Sequence, residues 1–139
     1  MGVLVVGIGT GSAKDEGHKD EDAGAKCSEA TLHGTYLFTE SGVQIRGNNK
    51  GPFAATGYQV HDGKHKVNGL YSANFNGEIT RNEPYSGTYT VEADCTGTAM
   101  FTDGTQYDLF IGPDGRMFTF VQTQPKRFVT SGTAQRVGR

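Results

Sequence analysis

Apolar and polar residues alternate along most of the chain from Cys27 onward. One phase of the segment 67–75 holds Val67, Gly69, Tyr71, Ala73 and Phe75, and the residues between them are mostly polar. A period of two is typical of a β-strand with one buried face. The same pattern predicts further strands over Gly34–Glu40, Phe53–Val60, Ser86–Ala93, Thr96–Thr102, Gln106–Ile111, Arg116–Gln122 and Arg127–Arg136, with a weaker one near Val43–Arg46.

Short turn signals separate these predicted strands. They are the segments Gly47–Gly51 and Gly112–Gly115 and the pairs Asp62-Gly63, Asn76-Gly77 and Asp103-Gly104. Strands joined this tightly are mostly antiparallel neighbours, because a parallel crossover needs a dozen or more residues. Since no segment is a convincing helix, the pattern predicts an all-β domain of eight or nine strands.

Glycine is frequent, with 21 of 139 residues, and its positions bear on the architecture. The glycines in phase with the apolar faces are Gly34, Gly69, Gly87, Gly97 and Gly132. A glycine on the inner face lets a strand coil sharply, as the closure of a barrel requires. The sequence therefore favours an antiparallel up-and-down barrel of eight to nine strands over a flat sandwich, with an N-terminal extension.

The N-terminal extension divides into two zones before the single barrel domain expected over 27–139. Residues 1–13 are apolar and then small, as at the end of a secretory signal that is cleaved after Ala13. The alternative is a β-strand that pairs with a sheet edge and assembles copies of the chain into a homo-oligomer. Residues 14–26 are charged, as in a flexible linker. The glycines at 7–11 superficially match a dinucleotide-binding loop, but the helix that this loop needs does not follow.

Charge excludes several partners. The linker holds five acids and three lysines, whereas ten acids balance ten lysines and arginines from Cys27 to Arg139. Without a basic field we expect no nucleic-acid partner, and without an apolar run of about 20 residues we expect no helical membrane span. We predict no cofactor and no metal. His61, Asp62 and His65 lie close together, but we interpret them as a polar loop tip beside two lysines.

Four segments carry a family resemblance: Cys27–Tyr36, Pro52–Gly57, Gly87–Thr98 and Phe120–Thr123. They resemble a group of small exported bacterial proteins of unassigned function over roughly residues 27–137, and Asp-Cys-Thr-Gly-Thr at 94–98 is the most specific part. That group is similar in strand pattern to the calycin-like and allene oxide cyclase-like eight-stranded barrels. The resemblance implies a barrel that binds a small apolar molecule or cyclises one.

The two cysteines, Cys27 and Cys95, have 67 residues between them. In a secreted or periplasmic protein such a pair is most simply a disulfide, here between the start of the first strand and the turn before Thr96. Two free thiols in a cytosolic protein are the alternative. Closing so long a loop would stabilise the fold by about 4 kcal/mol.

An eight-stranded barrel encloses enough space for side chains alone or for one small ligand. Inward aromatic residues are therefore either plain core or the wall of a ligand site. Our candidates for ligand binding are Tyr36, Phe38, Tyr71, Phe75, Tyr89, Phe101 and Tyr107. Catalysis would need an inward carboxyl in an apolar setting, for which Glu40 and Glu78 are candidates. Arg81 or Arg127 would then stabilise negative charge.

Three functions remain open at this point. The first is a secreted or periplasmic barrel that binds a small apolar molecule without catalysis. The second is a lyase, isomerase or cyclase that acts on such a molecule inside the barrel, and the third is a structural subunit that assembles through the N-terminal strand. A cavity lined by tyrosines with an inward carboxyl favours the enzyme, and a cavity without ionisable groups favours the binder. A filled barrel with its N-terminal strand ordered in a neighbouring chain excludes both.

Overall fold

The computed structural model describes residues 26–138, which form a closed antiparallel β-barrel. Each strand pairs with the next along the chain, and the last pairs with the first. The eight strands are β1 His33–Gln44, β2 Gly51–Asp62, β3 Lys66–Phe75, β4 Glu78–Val91, β5 Thr96–Phe101, β6 Gln106–Ile111, β7 Met117–Gln124 and β8 Phe128–Gly138. One 3₁₀ turn, Glu29–Thr31, precedes β1. The up-and-down barrel expected from the sequence is confirmed, whereas the leader 1–13 and nearly all of the linker lie outside the described residues.

The strand count is eight because the predicted strands Gly34–Glu40 and Val43–Arg46 are one continuous strand, β1. Gly42 allows this continuity. A Cβ atom at Gly42 would lie 1.9 Å from the backbone oxygen of Val129 on β8, so only glycine lets the two strands pack this closely.

β4 begins at Glu78, eight residues before the strand predicted from Ser86. Almost every residue in its first half is exposed, so no buried face produces an alternating pattern there. The pairing with β3 is also irregular between Tyr71 and Ala73, and Asn82 has a φ of 49°. The first half of β4 therefore lacks an alternating sequence pattern because neither of its faces is buried.

β2 is also longer than predicted, and this corrects the interpretation of His61. The loop tip holds Asp62, whose Oδ1 accepts hydrogen bonds from the backbone N–H groups of Lys64, His65 and Lys66 at 2.8–2.9 Å. His65 is exposed, but His61 is the last inward residue of β2 and is only 1% exposed. His61 therefore belongs to the barrel interior.

The inward glycines allow close approach of neighbouring strands. A Cβ atom at Gly69 would lie 1.9 Å from the backbone oxygen of Tyr58. At Gly132 it would lie 2.6 Å from the ring of Phe120, which covers this glycine. The space that Gly132 leaves inside the barrel is thus filled by a neighbouring aromatic ring, a known device for inward glycines.

One end of the barrel is sealed by the residues that precede β1. The disulfide between Cys27 and Cys95 is confirmed, with Cα atoms 5.1 Å apart, and it fixes this segment to the β4–β5 turn. Leu32 is fully buried. The Tyr89 hydroxyl lies 3.0 and 2.9 Å from the backbone oxygens of Glu29 and Leu32, which share its one proton. We call this the sealed end, and the opposite end the mouth.

Four ring side chains lie directly beneath the seal, and we call them the seal cluster: Tyr36, His61, Tyr89 and Phe118. His61 is at their centre, with ring centroids 5.3 Å from Tyr36, 4.7 Å from Tyr89 and 5.6 Å from Phe118. This end of the barrel is a packed core. Within residues 26–138, no helix is both long enough and apolar enough to cross a membrane.

Candidate functional site: a cavity behind the barrel mouth

A cavity of about 340 Å³ occupies the barrel interior between the seal cluster and the mouth. Its lining residues come from all eight strands and from the β5–β6 and β7–β8 connections at the mouth. Its volume lies within the range of about 300–1,000 Å³ that small-molecule sites usually have. The barrel is therefore hollow at one end and filled at the other.

Small side chains make this space. Ala55 of β2 faces Ala73 of β3 across the strand pair, and both line the cavity. Larger residues at these two positions would fill the interior, as Tyr36 and Tyr89 do at the sealed end. The alanine pair thus leaves room in the interior at the height of Glu40.

Five aromatic side chains form a continuous cycle of ring contacts around the interior, and we call this cycle the middle ring. Its members are Phe38, Tyr85, Phe101, Tyr107 and Phe120, from β1, β4, β5, β6 and β7. Neighbouring centroids are 5.3–6.4 Å apart around the whole cycle. These spacings are typical of edge-to-face aromatic pairs, which stabilise one another beyond simple burial. All five side chains line the cavity.

The mouth has an apolar rim with charges on it. Phe128 packs against Phe53 and Phe75, with centroids 5.9 and 6.2 Å apart. The Arg127 guanidinium lies over the Phe128 ring at 5.3 Å. Glu78 and Asp103 also line the entrance. A ligand would pass these groups before it reaches the middle ring.

Glu40 is the ionisable group inside the cavity, and it is 8% exposed. Its Oε2 atom accepts hydrogen bonds from the Tyr107 hydroxyl at 3.0 Å and from the Thr130 hydroxyl at 2.6 Å. Burial raises the pKa of this carboxyl, and the two hydroxyl donors partly offset that effect. β1 directs Glu40 inward because Tyr36 and Phe38 precede it in the same phase.

The surroundings of Glu40 suit both protonation states. The Thr130 hydroxyl also lies 3.1 Å from Oε1 of Gln122, but it has a single proton to donate. When Glu40 is ionised, that proton points to Glu40. When Glu40 is neutral, its own O–H donates to Thr130, which then donates to Gln122. The carboxyl can therefore gain or lose a proton without any movement of heavy atoms.

A second hydrogen-bonded chain joins the cavity wall to the seal cluster. Gln59 donates from Nε2 to the Tyr85 hydroxyl at 2.8 Å, and its Oε1 lies 2.8 Å from Nε2 of His61. The Oε1 atom can only accept, so His61 carries its proton on Nε2. Nδ1 of His61 is buried and has no hydrogen-bond partner in the described chain. Burial lowers the pKa of His61 to about 4, against a smaller opposing effect of the Asp62 charge.

Both tyrosines of the middle ring are poor acids. Burial is the main cause that raises the pKa of the Tyr85 hydroxyl and that of the Tyr107 hydroxyl. The negative charge of Glu40 raises both pKa values further. At neutral pH these hydroxyl groups therefore act as hydrogen-bond donors rather than as charged groups.

The structure distributes the predicted aromatic residues over two regions. Those that line the cavity are Phe38, Tyr71, Phe75, Phe101 and Tyr107. Tyr36 and Tyr89 instead belong to the seal cluster, away from the cavity. Ligand contact by any of the seven stays a prediction.

Sequence reasoning missed several residues of the cavity wall, which are Phe53, Tyr85, Phe118, Phe120 and Phe128. Phe118 and Phe120 alternate with exposed residues on β7, so their period of two was a usable signal. Tyr85 lies where β4 changes from an exposed half to a half-buried one, in phase with Gly87, Tyr89 and Val91, so the same period of two was a usable signal for it.

The four candidate residues for catalysis also lie in different surroundings. Glu40, Glu78 and Arg127 line the cavity, whereas Arg81 is exposed on β4 and does not line it. Only Glu40 is buried. Across residues 26–138 no group of three His, Cys, Asp or Glu side chains is placed to hold a metal ion.

Comparison with known proteins gives only distant similarities. No protein-family model and no curated protein matches the chain. A redesigned β-barrel is similar in structure, with a TM-score of 0.49 and 18% identity over 78% of this chain and 94% of that one. A de novo designed fluorescence-activating β-barrel has a TM-score of 0.45 and 10% identity over 77% of this chain and 94% of that one. No function is inferred from either similarity, and the relation to calycin-like barrels stays a prediction.

Proposed function

We propose that this protein binds a small, largely apolar molecule inside its barrel. The observation that carries the proposal is the cavity itself, whose wall is mostly apolar, with ten aromatic residues among the 23 that line it, as in ligand sites generally. The packed seal cluster gives the site a rigid base. The tyrosine hydroxyl groups and Glu40 supply the polar contacts that would orient a guest.

The compartment belongs to the same proposal. A disulfide of the Cys27–Cys95 kind persists in oxidising surroundings, so we infer an exported, secreted or periplasmic protein. Intact-mass measurement of material from the natural source tests this inference. A mass that begins at Lys14 with the disulfide formed is expected, whereas a cytosolic fraction with both thiols reduced would contradict it.

Binding is measured with N-phenyl-1-naphthylamine, a neutral probe that fluoresces in apolar surroundings. The test variant is Ala55→Phe, which places a ring inside the cavity. The matched control is Ala54→Phe, because Ala54 is the next residue on β2 and is exposed on the outer face. We expect the wild type and Ala54→Phe to bind the probe and Ala55→Phe to lose binding while it stays folded. Equal probe binding by the two variants would contradict an interior site.

A second candidate function is a lyase, isomerase or cyclase that acts on the bound molecule. Glu40 favours it, because a buried carboxyl whose surroundings suit both protonation states is equipped for general acid–base catalysis. A carboxyl inside the cavity favours an enzyme over a protein that only binds its ligand. We place binding first because both functions require it.

Glu40→Gln separates the two functions. If the protein is an enzyme, native mass spectrometry of material from the source should detect substrate retained by Glu40→Gln and product or empty barrel in the wild type. If the two proteins never carry ligands of different mass, whatever their occupancies, binding alone is favoured. The third function, assembly through residues 1–13, depends on a segment outside the described residues and stays a prediction.

A further inference from the structure

Glu40 is a buried carboxylate without a cationic partner. Two hydroxyl groups approach its Oε2 atom, and no lysine, arginine or histidine of residues 26–138 forms an ion pair with it. Buried charges in proteins are normally paired, because removing a carboxylate from water is costly. The protein thus keeps an uncompensated acid inside an apolar space.

The second oxygen of Glu40 is available to a ligand. Oε1 accepts no hydrogen bond from residues 26–138, and Glu40 lines the cavity. The guanidinium at the mouth does not neutralise it, since Arg127 lies over the Phe128 ring. A guest that reaches the middle ring therefore meets a carboxylate oxygen with no competing cation.

The surrounding rings are also suited to positive charge. If the middle ring is treated as a regular pentagon, the centroid spacings of 5.3–6.4 Å place its centre about 5 Å from each ring centroid. That distance is within the roughly 6 Å over which a cation is attracted to an aromatic ring. Cages of aromatic rings are a common recognition site for quaternary ammonium groups.

Acidic groups outnumber basic ones among the charged residues that line the cavity. Among the residues that line the cavity, Glu40, Glu78 and Asp103 are acidic and Arg127 is the one basic residue. A fatty acid or another apolar anion would have to bring its charge towards Glu40.

From these observations we propose that the cavity selects a small molecule that carries one positive charge on an apolar body, a protonated or quaternary amine, with Glu40 as its charge partner. This inference rests on the proposed function of interior binding. It narrows the ligand from any small apolar molecule to an organic cation.

Two probes of the same shape test the inference. They are 4-tert-butylbenzyl alcohol and 4-(hydroxymethyl)phenyltrimethylammonium, which differ in the replacement of one quaternary carbon by a positively charged nitrogen. Dissociation constants are measured at pH 8 by ¹H–¹⁵N chemical-shift titration. We expect the wild type to bind the cation about tenfold or more tightly than the neutral alcohol.

The decisive variant is Glu40→Gln, which removes the charge and keeps an oxygen that accepts hydrogen bonds from Tyr107 and Thr130. We expect its affinity for the cation to fall about tenfold or more, and its affinity for the neutral alcohol to change less than about threefold. The matched control is Glu92→Gln, since Glu92 is an exposed acid in the β4–β5 turn at the sealed end. Both affinities should be unchanged in this control.

Each other outcome has a definite meaning. Equal affinities for the two probes in the wild type would overturn the inference and leave interior binding intact. A preference for the cation that survives in Glu40→Gln would also overturn it, because another group would then be the charge partner. If neither probe shifts any resonance of a cavity residue and N-phenyl-1-naphthylamine does not bind, interior binding fails and the inference fails with it.

Discussion

The environment of His61 predicts how the stability of the barrel depends on pH. His61 is 1% exposed among the rings of Tyr36, Tyr89 and Phe118, and its Nε2 donates to Gln59. Burial lowers its pKa from 6.5 to about 4. The native protein therefore does not take up a proton that the unfolded chain binds readily below pH 6.5.

The size of the effect follows from linkage between protonation and folding. A pKa that falls by about 2.5 corresponds to about 3 kcal/mol, because each unit is worth 1.36 kcal/mol. This contribution is fully present above pH 6.5. It is lost progressively as the pH falls from about 6.5 to about 4, so the free energy of unfolding should decrease by about 3 kcal/mol over that interval.

Urea unfolding of the wild type and of His61→Phe between pH 7.5 and pH 4 measures this contribution. Phenylalanine keeps a ring in the seal cluster but cannot titrate. The lost hydrogen bond to Gln59 changes the free energy of unfolding by the same amount at every pH. We expect the difference between the two proteins to change by about 3 kcal/mol across the interval. Other acids with shifted pKa values, such as Glu40 and Asp62, are present in both proteins, so their titration cancels in this difference.

His65→Asn is the matched control, because His65 is exposed on the same loop. Its unfolding free energy should follow that of the wild type at every pH. Parallel curves for the wild type and His61→Phe would refute the reasoning, since His61 would then titrate alike in the folded and unfolded states.

Three further predictions concern the disulfide, the inward glycines and Glu40. Replacement of Cys27 and Cys95 by serine removes a cross-link over 68 residues and should cost about 4 kcal/mol, or about 15 °C in Tm by thermal circular dichroism; an unchanged Tm would contradict this. Gly69→Ala should cost about 3 kcal/mol or more, because its Cβ would overlap the backbone of β2. The control Gly138→Ala has open space and should change stability by less than about 0.5 kcal/mol in the same urea experiment. Glu40→Gln should be more stable than the wild type at pH 8, and the gain should disappear at acidic pH, because the raised pKa of Glu40 makes its ionised form destabilising; equal stabilities at pH 8 would contradict this.

The fold was predictable wherever one face of a strand is buried. β1 and β5 alternate between more and less exposed residues along their whole length, so their sequences carry a period of two. The first half of β4 has no buried face and lacks this signal. The disulfide between Cys27 and Cys95 was also predicted from the sequence alone, and it is confirmed.

The cavity was only partly predictable. Glu40 was found because its phase along β1 is visible in the sequence. The middle ring was not, because its five members come from five strands, and their common height depends on how far each strand is staggered against its neighbour. Stagger in a closed barrel is set by the pairing of all strands together, which local periodicity does not encode.

Both ends of the described chain leave the barrel on the sealed side, where Gly138 pairs with Thr35 near the start of β1. A tether at either end would therefore hold the protein with its mouth pointing away from the support. A reporter domain or a solid surface attached there should leave the entrance open to solvent. Grafting new loops between β1 and β2 or between β5 and β6 would in turn reshape the entrance at a distance from the disulfide.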